Sequence, residues 1–166
     1  MFRLIALFIL VALPAYADCA SSLMSQGYAV KRLSAFSDGV CGIDDPVLLS
    51  ATPSTNFSSP ITLSCKFAKK VGAWTSAIGA DHITHVGGYN CRKIAGSFFM
   101  SQHSYGNAID VVAIDGVPIS KQWRSAYKEA CKIFTTVRTP DHDAAHHDHL
   151  HIDSGWGFGC IVDFVR

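Results

Sequence analysis

The chain has 166 residues, with 14 lysines and arginines, 13 acidic residues and a formal net charge of +1. This near balance excludes the basic surface stripe through which proteins bind nucleic acids or anionic membranes. Partners are therefore expected at a specific site and not through the overall charge.

Residues 1–17 have the features of an export signal. Arg3 makes the start positive, Leu4–Leu13 is apolar, and Ala15-Tyr16-Ala17 supplies the small residues of a cleavage site. The apolar run is shorter than the roughly 20 residues that cross a bilayer, so we expect cleavage after Ala17 and no stable membrane insertion afterwards. The mature chain, residues 18–166, is then expected to be a single domain in the periplasm or outside the cell.

The first half of the mature chain contains strand patterns around one helical pattern. Strands are predicted at Tyr28–Leu33 and Val47–Ala51, followed by a Ser/Thr/Pro-rich exposed connection at Ala51–Pro60. A helix is predicted at Ile61–Ile78, where apolar residues recur at three- and four-residue steps. Another strand is predicted at Ile83–Tyr89.

The second half repeats this mixture without a regular βαβ rhythm. A strand at Ile109–Ile114 is followed by a hairpin turn at Asp115-Gly116 and a helix at Ser120–Phe134. Three strands complete the chain, at Thr135–Arg138, His149–Asp153 and Ile161–Val165. These elements predict an α+β domain with a small, mostly antiparallel sheet and flanking helices.

Six cysteines are spread along the mature chain: Cys19, Cys41, Cys65, Cys91, Cys131 and Cys160. They lack the close pairs of a thiolate zinc site. In an exported chain they are expected to form disulfides that stabilise the domain. The sequence leaves their pairing open.

The residues that can carry chemistry lie in two segments, Ser101–Asp110 and His146–Asp153. Side chains alternate along a strand, so His149, His151 and Asp153 are predicted to share one face. An aspartate within an apolar strand, as at position 110, is unfavourable unless it is paired or bound to a metal ion.

Two imidazoles and one carboxylate would make a ligand set that suits Zn²⁺, with a fourth position open for water. Gly106 lies between His103 and Asp110, where a missing side chain is expected to let the backbone approach a ligand. A zinc site built from the two segments is therefore predicted.

These motifs resemble a known group of enzymes. The spacing His103-x6-Asp110, followed by Asp148-x2-His151, resembles the LAS metallopeptidases, which include D-Ala-D-Ala carboxypeptidases, L-alanyl-D-glutamate endopeptidases and murein endopeptidases. The wider pattern is similar to the extensin-like C-terminal domain of bacterial exported proteins, through Tyr89–Arg92, the His103 motif, Cys131-x-x-Phe134 and Asp148–Asp153. The resemblance runs from about Cys41 to Cys160 and implies a LAS/hedgehog-type, peptidase-like fold.

The resemblance also implies roles for individual residues. The zinc ligands that it implies are His103, Asp110 and His151. Asp148 matches the acidic general base, while His146 and His149 match histidines that flank the metal and stabilise the oxyanion. Arg92 matches an arginine that holds a carboxylate or carbonyl of the substrate.

The expected function is that of an exported zinc peptidase that hydrolyses peptidoglycan stem peptides or their cross-links. The alternative is a non-catalytic, zinc-containing cell-wall binding module, like hedgehog-type relatives that keep the metal without turnover. A third hypothesis is metal sequestration by the segment His142–His151. Such a segment would bind several ions independently of His103 and Asp110. We expect His82, His85 and His142 to be surface or structural residues outside the site, and His147 to face solvent.

Overall fold

The computed structural model describes residues 18–157 and Cys160. In chain order, its elements are α1 (Cys19–Ser25), β1 (Ala29–Arg32), β2 (Phe36–Ser37), β3 (Gly42–Ile43), β4 (Pro46–Ala51), β5 (Asn56–Ser64), α2 (Cys65–Ala77), β6 (His82–Gly87), β7 (Ala108–Ile114), β8 (Val117–Pro118), α3 (Ile119–Ala130), β9 (Thr136–Arg138) and β10 (Leu150–Asp153). A short 3-10 helix, Gln102–Tyr105, lies between β6 and β7.

Most of the strands join one twisted sheet. Within the described residues, eight strands form it in the order β1-β4-β5-β6-β7-β10-β9, with β8 paired to β7, while β2 and β3 form a separate ribbon. Neighbouring strands of the large sheet are antiparallel except β5 and β6. Helix α2 connects those two strands, because a parallel pair needs a long crossover. These elements confirm the predicted α+β class and mostly antiparallel sheet.

The hairpin between β7 and β8 is confirmed. Asp115 and Gly116 have φ angles of 51° and 76°. Two consecutive positive φ angles match the twist of a tight hairpin. The Asp115 carboxylate also accepts hydrogen bonds from the backbone N–H groups of Asp81 and His82, which holds the turn against the start of β6.

The hydrophobic core lies between the sheet and the helices. Phe67 and Trp74 of α2 and Trp123 of α3 are buried, and Trp74 Nε1 donates a hydrogen bond of 3.0 Å to the carbonyl of Ala126 in α3. The apolar residues of β7 and β10 join this core: Ile109, Val111, Leu150 and Ile152. Strand alternation therefore directs Asp110, His151 and Asp153 to the opposite face of the sheet.

All six cysteines form disulfides, which confirms their predicted use. Cys19–Cys65 joins the first residues of α1 and α2. Cys41–Cys91 joins the segment before β3 to the loop that precedes the 3-10 helix. Cys131–Cys160 joins the end of α3 to the last described residue.

The first predicted helix began too early. Its initial residues belong to β5, where Ile61 and Leu63 are buried at a two-residue spacing. The helix starts at Cys65 because Ser64 is its N-cap, with the Ser64 hydroxyl accepting a hydrogen bond from Phe67 N at 3.3 Å. The predicted exposed connection Ala51–Pro60 was also partly wrong, since β5 begins at Asn56.

The second predicted helix was too long at its C-terminal end. Regular helix stops at Ala130, and tighter turns then lead to Phe134, whose ring packs 5.4 Å from the ring of Phe67. The predicted export signal, residues 1–17, and the predicted strand Ile161–Val165 lie outside the described residues. Across the described range, none of the helices combines the length and apolar character needed to span a membrane.

Candidate metal centre

Three side chains from three elements meet on the polar face of the sheet. Asp110 of β7 and His151 of β10 are directly opposite in the antiparallel register, and His103 approaches them from the 3-10 helix. Asp110 Oδ1 lies 2.8 Å from His151 Nδ1, Asp110 Oδ2 lies 3.1 Å from His103 Nε2, and the two ring nitrogens are 3.3 Å apart. The structure thus brings together the three predicted ligands.

His103 is held in one orientation by backbone contacts. Its side chain is almost fully buried, and Nδ1 lies 2.6 Å from the carbonyl oxygen of Gly88. A carbonyl can only accept, so Nδ1 carries the hydrogen and the lone pair of neutral His103 is on Nε2. That lone pair faces Asp110 and His151.

His151 is oriented in the same way by a carboxylate. Asp153 Oδ2 lies 3.0 Å from His151 Nε2, and Asp153 Oδ1 accepts the backbone N–H of Gly155 at 2.8 Å. The shared face of His151 and Asp153 is the one that strand alternation predicts. The hydrogen on Nε2 leaves Nδ1 of neutral His151 as the atom that can bind a cation.

The charges at this site favour a cation at its centre. Burial opposes charge on His151, but hydrogen bonds with Asp110 and Asp153 outweigh it and raise the pKa of His151 to about 9. Burial also tends to raise the pKa of Asp110, yet hydrogen bonds from His103 and His151 hold that pKa far below its usual range. In the protein alone a proton supplies the positive charge, and a metal ion can take its place.

The ligand set fits Zn²⁺. Ligand atoms at about 2.0–2.1 Å from a tetrahedral zinc ion are about 3.3 Å apart, close to the separations of 2.8–3.3 Å between these atoms. Two further groups in the described part of the chain have suitable residue types, Cys19/Asp45/Cys65 and Asp38/Cys41/Cys91. Their cysteines are oxidised to disulfides and offer no thiolate.

Two predicted catalytic residues form a hydrogen-bonded pair at the edge of the centre. Asp148 Oδ1 lies 2.8 Å from His149 Nδ1, and His149 Nε2 lies 3.7 Å from Asp110 Oδ1. The side chain of Asp148 is 64 % exposed, whereas that of His149 is 16 % exposed. The hydrogen bond from His149 lowers the pKa of Asp148, so this carboxylate is ionised at neutral pH.

His146 lies against both neighbouring histidines. Its ring centroid is 5.0 Å from that of His149 and 5.8 Å from that of His151. Its Nδ1 is 2.6 Å from Asp143 Oδ1 and therefore carries a hydrogen. Burial lowers the pKa of His146, against the opposing effect of Asp143. Neutral His146 then presents a lone pair at Nε2, and donation to an oxyanion requires its imidazolium form.

Arg92 is not brought into contact with the metal ligands. Its backbone is fixed against the 3-10 helix, because its N–H and carbonyl both bond to the Ser104 hydroxyl. Its side chain is exposed, and no carboxylate lies within 4.0 Å of it in the described part of the chain. The structure places the Arg92 backbone beside the 3-10 helix, and its guanidinium has no ion-pair partner among the described residues.

Gly106 serves a different purpose from the predicted one. It ends the 3-10 helix with a φ of 62°, and a Cβ there would lie 2.4 Å from Ile43 Cδ1 and 2.7 Å from Ser64 N. Its carbonyl accepts the N–H of Ser64. The missing side chain therefore allows close packing against the start of α2, and not the approach of a ligand.

Sequence reasoning missed three residues around the centre. Gly88 provides the carbonyl that orients His103. In the sequence, the feature that could have pointed to it was the Gly87-Gly88 pair. Arg138 lies directly opposite His151 in the sheet, which no sequence pattern indicates. His142, expected to be a surface or structural residue outside the site, is half-buried, with Nε2 2.5 Å from Arg138 Nη1 and its ring 5.9 Å from that of His146. His147 is exposed, in keeping with its prediction.

A family model matches most of this chain. No curated protein is detectably similar to this chain. The model of the family described as extensin-like protein C-terminus matches residues 17–160, a span that includes His103, Asp110, His151 and all six cysteines. The chain therefore belongs to the extensin-like C-terminal family.

Proposed function

We propose that this protein is an exported zinc-dependent peptidase that hydrolyses peptide bonds in peptidoglycan stem peptides or their cross-links. The observation that carries the proposal is the meeting of His103, Asp110 and His151 beside the Asp148–His149 pair. A structural metal site has no need of an ionised carboxylate and a histidine at its edge.

The metal ion has a defined place in this proposal. His103 Nε2, Asp110 and His151 Nδ1 would hold Zn²⁺, and Gly88 and Asp153 fix the two imidazoles in the required orientation. When bound, zinc supplies a Lewis acid and lowers the pKa of a coordinated water to about 7.

The protein's own residues supply proton transfer. Asp148 is ionised and hydrogen-bonded to His149, so the pair accepts one proton from the attacking water. The same pair then returns that proton to the nitrogen of the leaving amine. His146 lies within ring contact of His149. Its pKa is lowered by burial, so the protonated fraction of His146 would stabilise the oxyanion.

Two further features support action outside the cytoplasm. All six cysteines are paired, which is typical of oxidising compartments, and residues 1–17 have the pattern of an export signal. Peptidoglycan peptides are the expected substrates in that compartment, and the LAS metallopeptidases that the motifs resemble act on such peptides.

The test is to incubate purified muropeptides with zinc-loaded wild type, His151→Ala and Asp148→Asn, and to identify the products by mass. Asp141→Asn is the matched control, because Asp141 is a half-exposed carboxylate of the preceding loop whose ion-pair partner among the described residues is Arg124, at 4.0 Å. We expect cleavage by wild type and Asp141→Asn, none by His151→Ala, and a loss of about 10²-fold or more for Asp148→Asn. Zinc content should fall only in His151→Ala.

Equal product from all variants would remove the catalytic proposal. If no protein cuts while His151→Ala alone loses zinc, the non-catalytic wall-binding module replaces it. Binding of several ions that persists in His103→Ala and Asp110→Ala would instead support metal sequestration by the His142–His151 segment.

A further inference from the structure

An open groove of about 690 Å³ adjoins the candidate metal centre. Its lining residues include Asp153, Arg138 and the aromatic residues Phe98, Phe99 and Trp156. These three aromatic side chains are between 78 % and 95 % exposed. Clustered exposed aromatic groups beside a polar site mark a surface that binds a ligand.

Arg138 is placed in the groove by the sheet itself. Gly87, Asp110, His151 and Arg138 are successive partners across β6, β7, β10 and β9. Directly opposite residues share a face, and their Cα atoms are about 4.5–5.5 Å apart. Arg138 is therefore one strand from a predicted zinc ligand, and the glycine at the other end of the row leaves that side of Asp110 uncrowded.

Within the described residues, the guanidinium of Arg138 forms no ion pair. No carboxylate lies within 4.0 Å of it among residues 18–157 and 160. Its contact at 2.5 Å is with His142 Nε2, which itself lies 3.6 Å from Asp143 Oδ2. Asp153 is the acidic residue of the groove, but its two oxygens already accept hydrogen bonds from His151 and Gly155. The groove thus offers a half-buried cation that a ligand can neutralise.

We propose that Arg138 binds a carboxylate of the peptide substrate, while Phe98, Phe99 and Trp156 contact the apolar parts of the same peptide. This inference rests on the proposed function and names the substrate as a peptide with a free carboxylate near the bond that is cut. A planar guanidinium with two parallel N–H groups matches a carboxylate. This assignment gives Arg138 the role that the sequence resemblance suggested for Arg92.

The experiment measures binding separately from cleavage. A synthetic stem pentapeptide, its C-terminal amide and the form with amidated side-chain carboxylates are titrated calorimetrically into the zinc-loaded protein. The same peptides are used in cleavage assays that separate kcat from KM. The variants are Arg138→Gln, Arg138→Lys and Arg92→Gln. Arg32→Gln is the matched control, because Arg32 lies in the edge strand at the opposite end of the sheet and pairs with the exposed Asp18.

We expect Arg138→Gln to weaken binding of the free-acid peptide roughly tenfold or more, with the loss in KM, and Arg138→Lys to restore part of it. Arg32→Gln should bind as wild type does. If wild type binds one of the amidated peptides weakly and Arg138→Gln does not weaken that binding further, the carboxylate amidated in that peptide is the one that Arg138 holds.

Three results would overturn the inference: equal binding by wild type and Arg138→Gln, a loss in Arg92→Gln alone, or no binding of any of the peptides by wild type. Wild type that binds through Arg138 without cutting would refute the peptidase proposal and leave the binding site intact. If wild type cuts the peptides and Arg138→Gln binds and cuts them equally well, the inference about Arg138 is refuted and the peptidase proposal stands.

Discussion

His151 hydrogen-bonds to a different carboxylate through each of its two ring nitrogens. Nδ1 contacts Asp110 and Nε2 contacts Asp153, with both distances at or below 3.0 Å. Two carboxylates raise the pKa of His151 to about 9 despite its burial. A divalent cation at Nδ1 must therefore displace a proton, because only a neutral imidazole binds metal.

This competition predicts that zinc affinity rises with pH. In the metal-free protein, His151 is protonated below a pH of about 9, so affinity should increase about tenfold per pH unit up to that value and then level off. Competition for zinc with a chelating dye between about pH 7 and pH 10 measures this affinity.

The stability of the metal-free fold changes with pH in the opposite direction. The raised pKa stabilises the metal-free fold fully below the unfolded pKa of about 6.5, and this gain is lost as pH approaches 9.

Asp153→Asn provides the comparison for this pH dependence. Without the second carboxylate, the pKa of His151 falls, so the rise in affinity should level off at a lower pH. The affinity at that plateau should itself be about 10–100-fold weaker, because Asp153 no longer strengthens His151 as a ligand. Zinc affinity that stays flat between about pH 7 and pH 8.5 in wild type would contradict the proposed competition.

At the scale of elements, the end of β6 and the 3-10 helix position His103 together. The carbonyl of Gly88, just after β6, accepts the hydrogen of His103 Nδ1, and the N–H of Asn90, two residues later, donates a hydrogen bond to the carbonyl of His103. Gly88 itself is pressed against β5. A Cβ there would lie 2.5 Å from Ile61 Cγ1 and 2.7 Å from the carbonyl oxygen of Thr62.

Gly88→Ala should therefore damage both stability and the metal site. The added methyl cannot fit without moving β5 or the Gly88 carbonyl, and overpacking of this kind lowers the free energy of unfolding by about 1–3 kcal/mol. Chemical denaturation and zinc titration would measure the two effects. Gly87→Ala is the matched control, because its Cβ would meet only Asp110 Oδ2 at an ordinary 3.8 Å. Equal stability of the two variants would refute the packing argument.

At the scale of the whole molecule, disulfides join segments that are distant in sequence. Cys41–Cys91 closes a sequence separation of 50 residues and fixes the loop that leads into the 3-10 helix. Cys131–Cys160 closes a shorter separation of 29 residues at the end of α3. A crosslink stabilises the fold by restricting the unfolded chain, with a larger effect for a longer loop.

The double variant Cys41→Ser/Cys91→Ser should lose about 2–5 kcal/mol of unfolding free energy. Cys131→Ser/Cys160→Ser is the comparison, and loop closure alone predicts a loss smaller by roughly half a kcal/mol. Denaturant unfolding of oxidised wild type and both variants gives these values. A free energy of unfolding that is unchanged in the first variant would show that this crosslink contributes nothing to stability.

Much of the fold was readable because strand patterns are local. The predicted strands at Ile109–Ile114 and His149–Asp153 correspond to β7 and β10, and their alternation correctly separated the core side chains from His151 and Asp153. The start of α2 was misread because the apolar spacing of β5 continues into the helix without a break. Only Ser64, acting as the N-cap, marks the boundary.

The sequence by itself determined the α+β class, the use of the cysteines in disulfides and the three side chains that meet at the candidate centre. Each of these follows from local periodicity, from composition or from a recognisable spacing. Only the tertiary structure decided the disulfide pairing, the contact of Gly88 with His103 and the position of Arg138 beside His151. Strand order and register bring such residues together, and these depend on how the whole sheet packs against its helices.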